Sequence, residues 1–189
     1  MTVDAADLAA VEKQLGRTPR GVMEISYRCP DGAPGVVKTR PRLEDGTPFP
    51  TLFYLTDPRL TAEASRLETT GVMKDMTTRL EEDEALAADY LAAHKWFLDE
   101  RNKIEDLGTE FSGGGMPERV KCLHVLIAYA LATGPDHFRL GTEAVALAAE
   151  GTKLRGTAIP SDWPTCADLG IERTDNATPR TRGSQDAGE

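Results

Sequence analysis

Cysteine and histidine are both scarce in this sequence, which has three of each among its 189 residues. The cysteines stand at positions 29, 122 and 166, and an odd number so widely spaced does not predict a disulfide framework. Their remaining uses are core packing, redox chemistry or a metal site. No close Cys-x-x-Cys pair is present, so the sequence has no compact local metal motif.

Long apolar runs are also absent, since no stretch approaches the roughly 20 residues that span a bilayer. The opening segment, MTVDAADLAAVEKQLG, carries acids early and lacks the basic and then apolar build of a signal peptide. We therefore expect a cytoplasmic protein with no membrane partner. A formal net charge of −9 repels phosphate backbones, so we expect no nucleic-acid partner either. The sequence leaves the oligomeric state open.

The composition, 40% hydrophobic and 28% charged, is typical of a globular protein. We expect a single α+β domain over residues 1–171. Residues 172–189 are rich in Thr, Asn, Pro, Arg, Gly and Ser and have few apolar side chains, which predicts a disordered C-terminal tail.

Hydrophobic periodicity predicts the fold of that domain. Strand patterns fall on residues 22–29, 36–39 and 51–56, and helical patterns fall on 4–15, 58–68, 72–80, 81–105, 117–131 and 142–150. Asp57-Pro58, Pro117 and Thr142 supply start signals for three of the helices. The prediction is a small antiparallel sheet of about three strands covered by four to six helices.

Four residues are candidate metal ligands: Cys29, Asp57, Cys122 and His124. Cys29 and Asp57 each end a predicted strand, and antiparallel neighbours bring such ends together when the register allows it. Thiolate, carboxylate and imidazole groups together suit zinc or iron. In a regular helix, side chains two residues apart point about 200° away from each other, so we expect only one of Cys122 and His124 in a three-ligand site. The structural alternative is that the cysteines pack in the core and Asp57 caps a helix.

A glycine run suggests an anion site. Its backbone N–H groups could approach a ligand just before the helix predicted from Pro117, with basic side chains near by. The candidate residues are Ser112, Gly113, Gly114, Gly115, Arg119, Lys121 and Arg40. This predicts a small phosphate-bearing ligand, although the run is not a P-loop because the Gly-Lys-Ser/Thr ending is missing. The alternative is a flexible loop with solvated basic residues.

Several motifs resemble those of one known family. They are Arg28-Cys29-Pro30, Gly46-Thr47-Pro48-Phe49-Pro50-Thr51, Leu55-Thr56-Asp57-Pro58, and Ser112-Gly113-Gly114-Gly115-Met116-Pro117 running into Arg119-Val120-Lys121-Cys122-Leu123-His124. Over roughly residues 17–163 the chain is similar to the bacterial "domain of unknown function 501" family, which is common in actinobacteria.

The resemblance implies no assigned activity. It implies that relatives often carry Cys or His where this chain has Asp57, and all three residue types can bind a metal. It also implies a gene neighbourhood that includes a septum-formation protein, which points to a scaffold linked to cell division.

The leading functional hypothesis is a binding domain with a pocket for a metal ion, a phosphate-bearing ligand, or both. The alternative is a metal-assisted hydrolase acting on a phosphate compound, with His124 as the candidate general acid or base. A further alternative is that Cys122 acts as a nucleophilic thiolate. This reaction requires a nearby base, and in the predicted helix His124 faces away from Cys122.

Overall fold

The structure, a computed structural model, describes residues 3–172. Within that range the chain forms six helices and three strands. In chain order they are α1 (Ala5–Leu15), β1 (Val22–Arg28), β2 (Pro34–Thr39), β3 (Phe53–Leu55), α2 (Pro58–Glu68), α3 (Val72–Glu82), α4 (Glu84–Asn102), α5 (Leu123–Thr133) and α6 (Arg139–Ala149). The predicted α+β class is confirmed.

The three strands form one antiparallel sheet in the order β1–β2–β3. The central strand β2 pairs with β3 in a regular register, in which Val36 lies opposite Leu55 and Lys38 lies opposite Phe53. One edge of β3 is therefore bonded to β2. No strand among residues 3–172 covers the other edge of β3.

Successive side chains of a strand point to opposite faces of the sheet, and the two faces here carry different layers. On one face, Val11 of α1 packs against Ile25 and Val37 in a small apolar cluster. On the other face, Val36 and Phe53 belong to the main core, which includes most of α5. The sheet therefore separates α1 from the other helices.

Helix α5 lies at the centre of the main core. Its sequence, LHVLIAYALAT, is apolar on nearly every side because it contacts α2, α6 and the sheet at once. The contact between α2 and α5 positions the functional site, because it brings the end of α2 to the start of α5.

Two helices begin at positions that differ from the predicted ones. Helix α5 begins at Leu123 and not at Pro117, and the Leu123 N–H donates to Oε1 of Glu68 over 2.7 Å. Helix α6 begins at Arg139, ahead of its predicted start, and the Arg139 N–H donates to Oδ2 of Asp89 over 2.8 Å. Each start is fixed by a carboxylate from another helix, which no local start signal could reveal.

None of the helices in residues 3–172 combines the length and the apolar character that a bilayer span requires. The predicted disordered tail, residues 172–189, lies outside the described residues apart from Glu172. The single domain over residues 1–171 and the cytoplasmic location stay predictions.

Candidate metal centre

The four predicted metal ligands form two pairs at opposite ends of α2. Asp57 is the N-cap of this helix and lies beside Cys29. Cys122 and His124 lie beside Glu68, which is the last residue of the helix. Eleven residues at 1.5 Å per residue separate the two ends by about 16 Å. The structure therefore does not bring the four residues to one ion.

The first pair meets across the start of β2. The Cys29 sulfur lies 3.6 Å from Oδ2 of Asp57, and both residues are almost fully buried. The absence of a side chain at Gly35 leaves room for this contact, since a Cβ there would lie 3.0 Å from the Cys29 sulfur. Burial, together with the neighbouring Asp57 carboxylate, raises the pKa of the Cys29 thiol to about 12. A thiol held neutral in this way is a poor metal ligand.

The Asp57 carboxylate already has a full set of partners. Its Oδ1 accepts the backbone N–H groups of Arg59 at 2.9 Å and Leu60 at 3.3 Å, as the predicted helix cap requires. The Arg59 guanidinium adds bonds to Oδ1 at 3.0 Å and to Oδ2 at 2.7 Å. These bonds account for Asp57 without an ion.

The second pair gains a third donor that the sequence did not suggest. One ligand atom from each of Glu68, Cys122 and His124 lies within 4.8 Å of the others, and all three side chains are half-buried. A search of residues 3–172 for three or more His, Cys, Asp and Glu side chains close enough to hold a metal ion finds these three residues. Glu68 lies far from the other two in the sequence, and only the packing of α2 on α5 brings it close.

The expectation that Cys122 and His124 face apart is wrong. That expectation assumed that both residues lie inside a helix beginning at Pro117. Cys122 is instead the N-cap of α5, with extended backbone angles of φ −152° and ψ 114°. Because the helical repeat starts only after it, its sulfur turns toward His124 on the first turn.

Glu68 holds His124 in place from across the helix interface. Its Oε1 lies 3.0 Å from Nδ1 of His124, while Nε2 of the same ring lies 3.3 Å from the Ser65 hydroxyl. Hydrogen bonding with the Cys122 side chain, and then with Glu68, raises the pKa of His124 to about 9. Burial acts to raise the pKa of Glu68, but its bonds to His124 and to the Leu123 N–H outweigh burial and bring this pKa below its ordinary value.

Cys122 and His124 form part of the wall of a pocket of about 360 Å³. The rest of the wall is mostly apolar and includes Leu15, Phe53 and Val125. This volume lies in the lower range of small-molecule sites, which combine apolar walls with a few converging polar groups. Two members of the donor group formed by Glu68, Cys122 and His124, namely Cys122 and His124, are therefore accessible from a cavity that can hold a ligand.

The glycine run has a structural use that differs from the predicted anion site. It does not lead into a helix at Pro117, and its carbonyls serve local turns: Gly114 O accepts the Lys121 N–H at 2.6 Å, and Gly115 O accepts the Arg119 N–H at 3.1 Å. Ser112, Gly113 and Gly114 are buried, and Val125 and Leu126 of α5 pack against the two glycines. Ser112 bonds Nδ1 of His94 at 2.8 Å.

The basic residues of the predicted anion site do not converge in the structure. Arg119 and Lys121 are exposed near the glycine run. Arg40 follows the end of β2, where its N–H donates to the Gly21 carbonyl. No hydrogen bond or ion pair within residues 3–172 connects Arg40 to the glycine run. Binding of a phosphate-bearing ligand stays a prediction. The glycine run does not precede a helix N-terminus that could bind the phosphate.

Comparison with known protein families identified a match over the middle of the chain. Residues 25–146, more than half of the chain, match the family described as "Protein of unknown function (DUF501)". The chain belongs to this family. No curated protein and no solved structure matched it. The family assignment confirms the resemblance drawn from the motifs, while an actinobacterial origin stays a prediction.

The matched region of this DUF501 member contains every residue of the donor group and both ends of α2. It also contains the two pairs that the sequence had proposed as one site. The family description assigns no activity.

Proposed function

We propose that the chain binds a divalent transition-metal ion, zinc in the first instance, through Glu68, Cys122 and His124. The observation that carries the proposal is the approach of three donor atoms to within 4.8 Å of one another. A thiolate, an imidazole and a carboxylate are all established zinc ligands, and iron can bind the same three donor types. An ion would replace the proton that His124 and Glu68 now share in their hydrogen bond.

The pocket supports a site that is open on one side. Three protein ligands leave the fourth position of a tetrahedral zinc ion free for water or a ligand. Since Cys122 and His124 lie in the pocket wall, that position can face the cavity. The chain would then be a binding domain in which the metal ion forms one end of a ligand pocket.

An enzymatic role requires more than this group supplies. If His124 binds the ion, it cannot also act as the general acid or base that a metal-assisted hydrolase needs. The Ser65 hydroxyl, 3.3 Å from His124, is not a base at neutral pH. A hydrolase acting on a phosphate compound and a scaffold linked to cell division both stay predictions without a structural feature that favours them.

The test is a zinc titration of the full chain, purified without a histidine tag and competed against a chromophoric chelator. We expect one zinc ion per molecule, loss of binding in Cys122→Ser, and unchanged binding in Cys29→Ser. Cys29 is the matched control because it is a cysteine of the other pair, at the far end of α2. Equal binding by both variants, or less than about a tenth of an ion per molecule, would contradict the proposal.

Thermal unfolding provides an independent measurement of zinc binding at the same site. An ion that binds only the folded chain raises its melting temperature by an amount that grows with the ratio of free ion concentration to dissociation constant. Zinc should therefore stabilise the wild-type chain and Cys29→Ser alike and leave Cys122→Ser unchanged. Stabilisation of all three proteins by zinc would indicate binding elsewhere on the acidic surface.

A further inference from the structure

We infer that the pocket beside β3 binds a short extended peptide segment with apolar side chains, which pairs with the free edge of β3 as a fourth strand. The inference goes beyond the proposed metal site and does not depend on it. It rests on where the pocket lies relative to the sheet and on which backbone groups of β3 lack partners.

The pocket runs along the outer edge of the sheet. Its wall includes Leu15 from the α1 layer on one face and Val125 from the α5 layer on the other. Thr51, Phe53 and Leu55 lie between them. A cavity that contacts both layers and the residues of β3 between them lies along the outer edge of that strand.

The register of β3 shows which of its backbone groups face this cavity. The Thr39 N–H donates to Leu52 O, and the Thr56 N–H donates to Gly35 O. In an antiparallel pair, the groups that face the partner strand alternate along the chain, so residues 52, 54 and 56 face β2. The N–H and C=O groups of Phe53 and Leu55 therefore face away from the sheet and toward the pocket.

These outward groups have no partner within residues 3–172. No hydrogen bond among residues 3–172 involves the backbone of Phe53 or Leu55 on this side. A peptide with complementary groups would form direct hydrogen bonds with these N–H and C=O groups. Two N–H and C=O pairs at alternate positions match the pattern of an extended peptide.

The walls determine which peptide fits. Thr51 to Leu55 span about 13 Å, the length of roughly four extended residues. The cavity walls on either side of the edge are largely apolar, through Leu15 and Val125, so apolar side chains are accommodated. The net charge of −9 favours basic residues at the ends of the peptide, which lie outside the pocket.

The test uses the acetylated and amidated peptide Lys-Val-Leu-Val-Lys with the full-length chain, monitored by isothermal titration calorimetry. Two derivatives carry N-methyl groups, one on both valine nitrogens and the other on the leucine nitrogen. In an extended strand these nitrogens face opposite sides, so only one derivative loses its bonds to β3. We expect that derivative to bind at least about tenfold more weakly, and the other to bind within about threefold of the parent.

A pocket variant provides the complementary test. Thr61 lines the pocket from α2, and Thr61→Trp should fill it and reduce peptide affinity at least about tenfold. The matched control is Thr78→Trp, at an exposed position of α3 that does not line this pocket, and it should leave the affinity unchanged. Equal effects of the two methylated peptides, or no saturable binding of the parent up to about 1 mM, would overturn the inference.

The outcomes separate this inference from the metal proposal. Glu68→Gln, at a donor position outside the pocket wall, should weaken zinc binding but retain the difference between the two methylated peptides. Zinc binding without that difference overturns the peptide site alone. The difference without zinc binding overturns the metal site alone.

Discussion

Nδ1 of His124, on the first turn of α5, lies 3.0 Å from Oε1 of Glu68, the last residue of α2. The same carboxylate oxygen accepts the Leu123 N–H at 2.7 Å and so caps α5. One side chain therefore fixes both where the helix begins and how the imidazole is oriented. The donor group depends on this single contact between two helices.

Replacing Glu68 by Gln separates these two roles. The amide oxygen of Glu68→Gln can still accept the Leu123 N–H, but the amide is a weak zinc ligand. We expect the affinity for zinc to fall about 10–100-fold, with a small change in the free energy of unfolding. Chelator competition and urea unfolding measure the two effects. Glu63→Gln on the same helix, which loses only an ion pair with Arg66, should change neither.

The metal-free protein should lose stability as the pH rises through the pKa of His124. That pKa is raised from 6.5 to about 9, so the charged form contributes fully below pH 6.5 and the contribution disappears above pH 9. Because about a third of the side chain is exposed, we expect a loss of about 1–2 kcal/mol. Urea unfolding in EDTA across this range should show the loss in the wild type and not in His124→Gln. Equal slopes for the two proteins would refute the assignment.

The three cysteines should differ in their reactivity toward iodoacetamide. Burial raises the pKa of Cys29 to about 12 and that of Cys166 to about 11, and both side chains are inaccessible. Cys122 is half-buried and lines the pocket. Mass spectrometry of the folded, metal-free chain should show one modified thiol, at Cys122, and zinc should slow its modification. Rapid labelling of Cys29 would contradict the burial described here.

Gly115 should resist substitution more strongly than Gly108, although both have positive φ. A Cβ at Gly115, where φ is +92°, would lie 2.6 Å from the Arg119 carbonyl oxygen, whereas Gly108, at φ +66°, has open space. Gly108→Ala then carries only the backbone penalty of about 1–2 kcal/mol. Gly115→Ala adds a clash and should cost about 2–4 kcal/mol in the free energy of unfolding. Similar costs for both would mean that the loop relaxes freely.

Arg79 should contribute more to stability than other arginines on the surface. It donates to both oxygens of Glu143 at 2.7 and 3.0 Å, and Glu143 is fully buried. Arg79→Ala leaves that carboxylate with Arg139 alone, so we expect a loss of about 2–3 kcal/mol. Arg66→Ala, which breaks an exposed pair, should cost below about 1 kcal/mol. Denaturant unfolding of the two variants provides the comparison.

Much of the fold was predictable because its determinants are local. Asp57-Pro58 correctly indicated the start of α2, since the cap bonds only the next few N–H groups. Loose alternation in residues 22–29, and β-branched and aromatic residues between turn residues elsewhere, predicted the three strands, because these signals are local in the sequence. The family could also be identified from short motifs without any knowledge of packing.

The candidate site was only partly predictable. Cys122 and His124 stood out by residue type, but an assumed helix start at Pro117 turned them away from each other. Nothing in the sequence indicated Glu68 as a metal ligand. An acidic residue near the end of a helix is common, and its partners lie more than 50 residues away in the chain. Cys29 and Asp57 do lie beside each other, although β2 separates the two strands that they follow and these strands are not the neighbours that the prediction assumed. The prediction was wrong to join them to the second pair.

The sequence by itself determined the fold class, the strands, and the helices whose caps lie next to them in the chain. The tertiary structure alone decided where α5 and α6 begin, because Glu68 and Asp89 cap them from other helices. It also decided which donors meet, since helix packing and not sequence distance brings Glu68 to Cys122 and His124. Local hydrogen bonds can be recognised in a sequence, whereas a side chain that reaches across an interface depends on packing that only the folded chain provides.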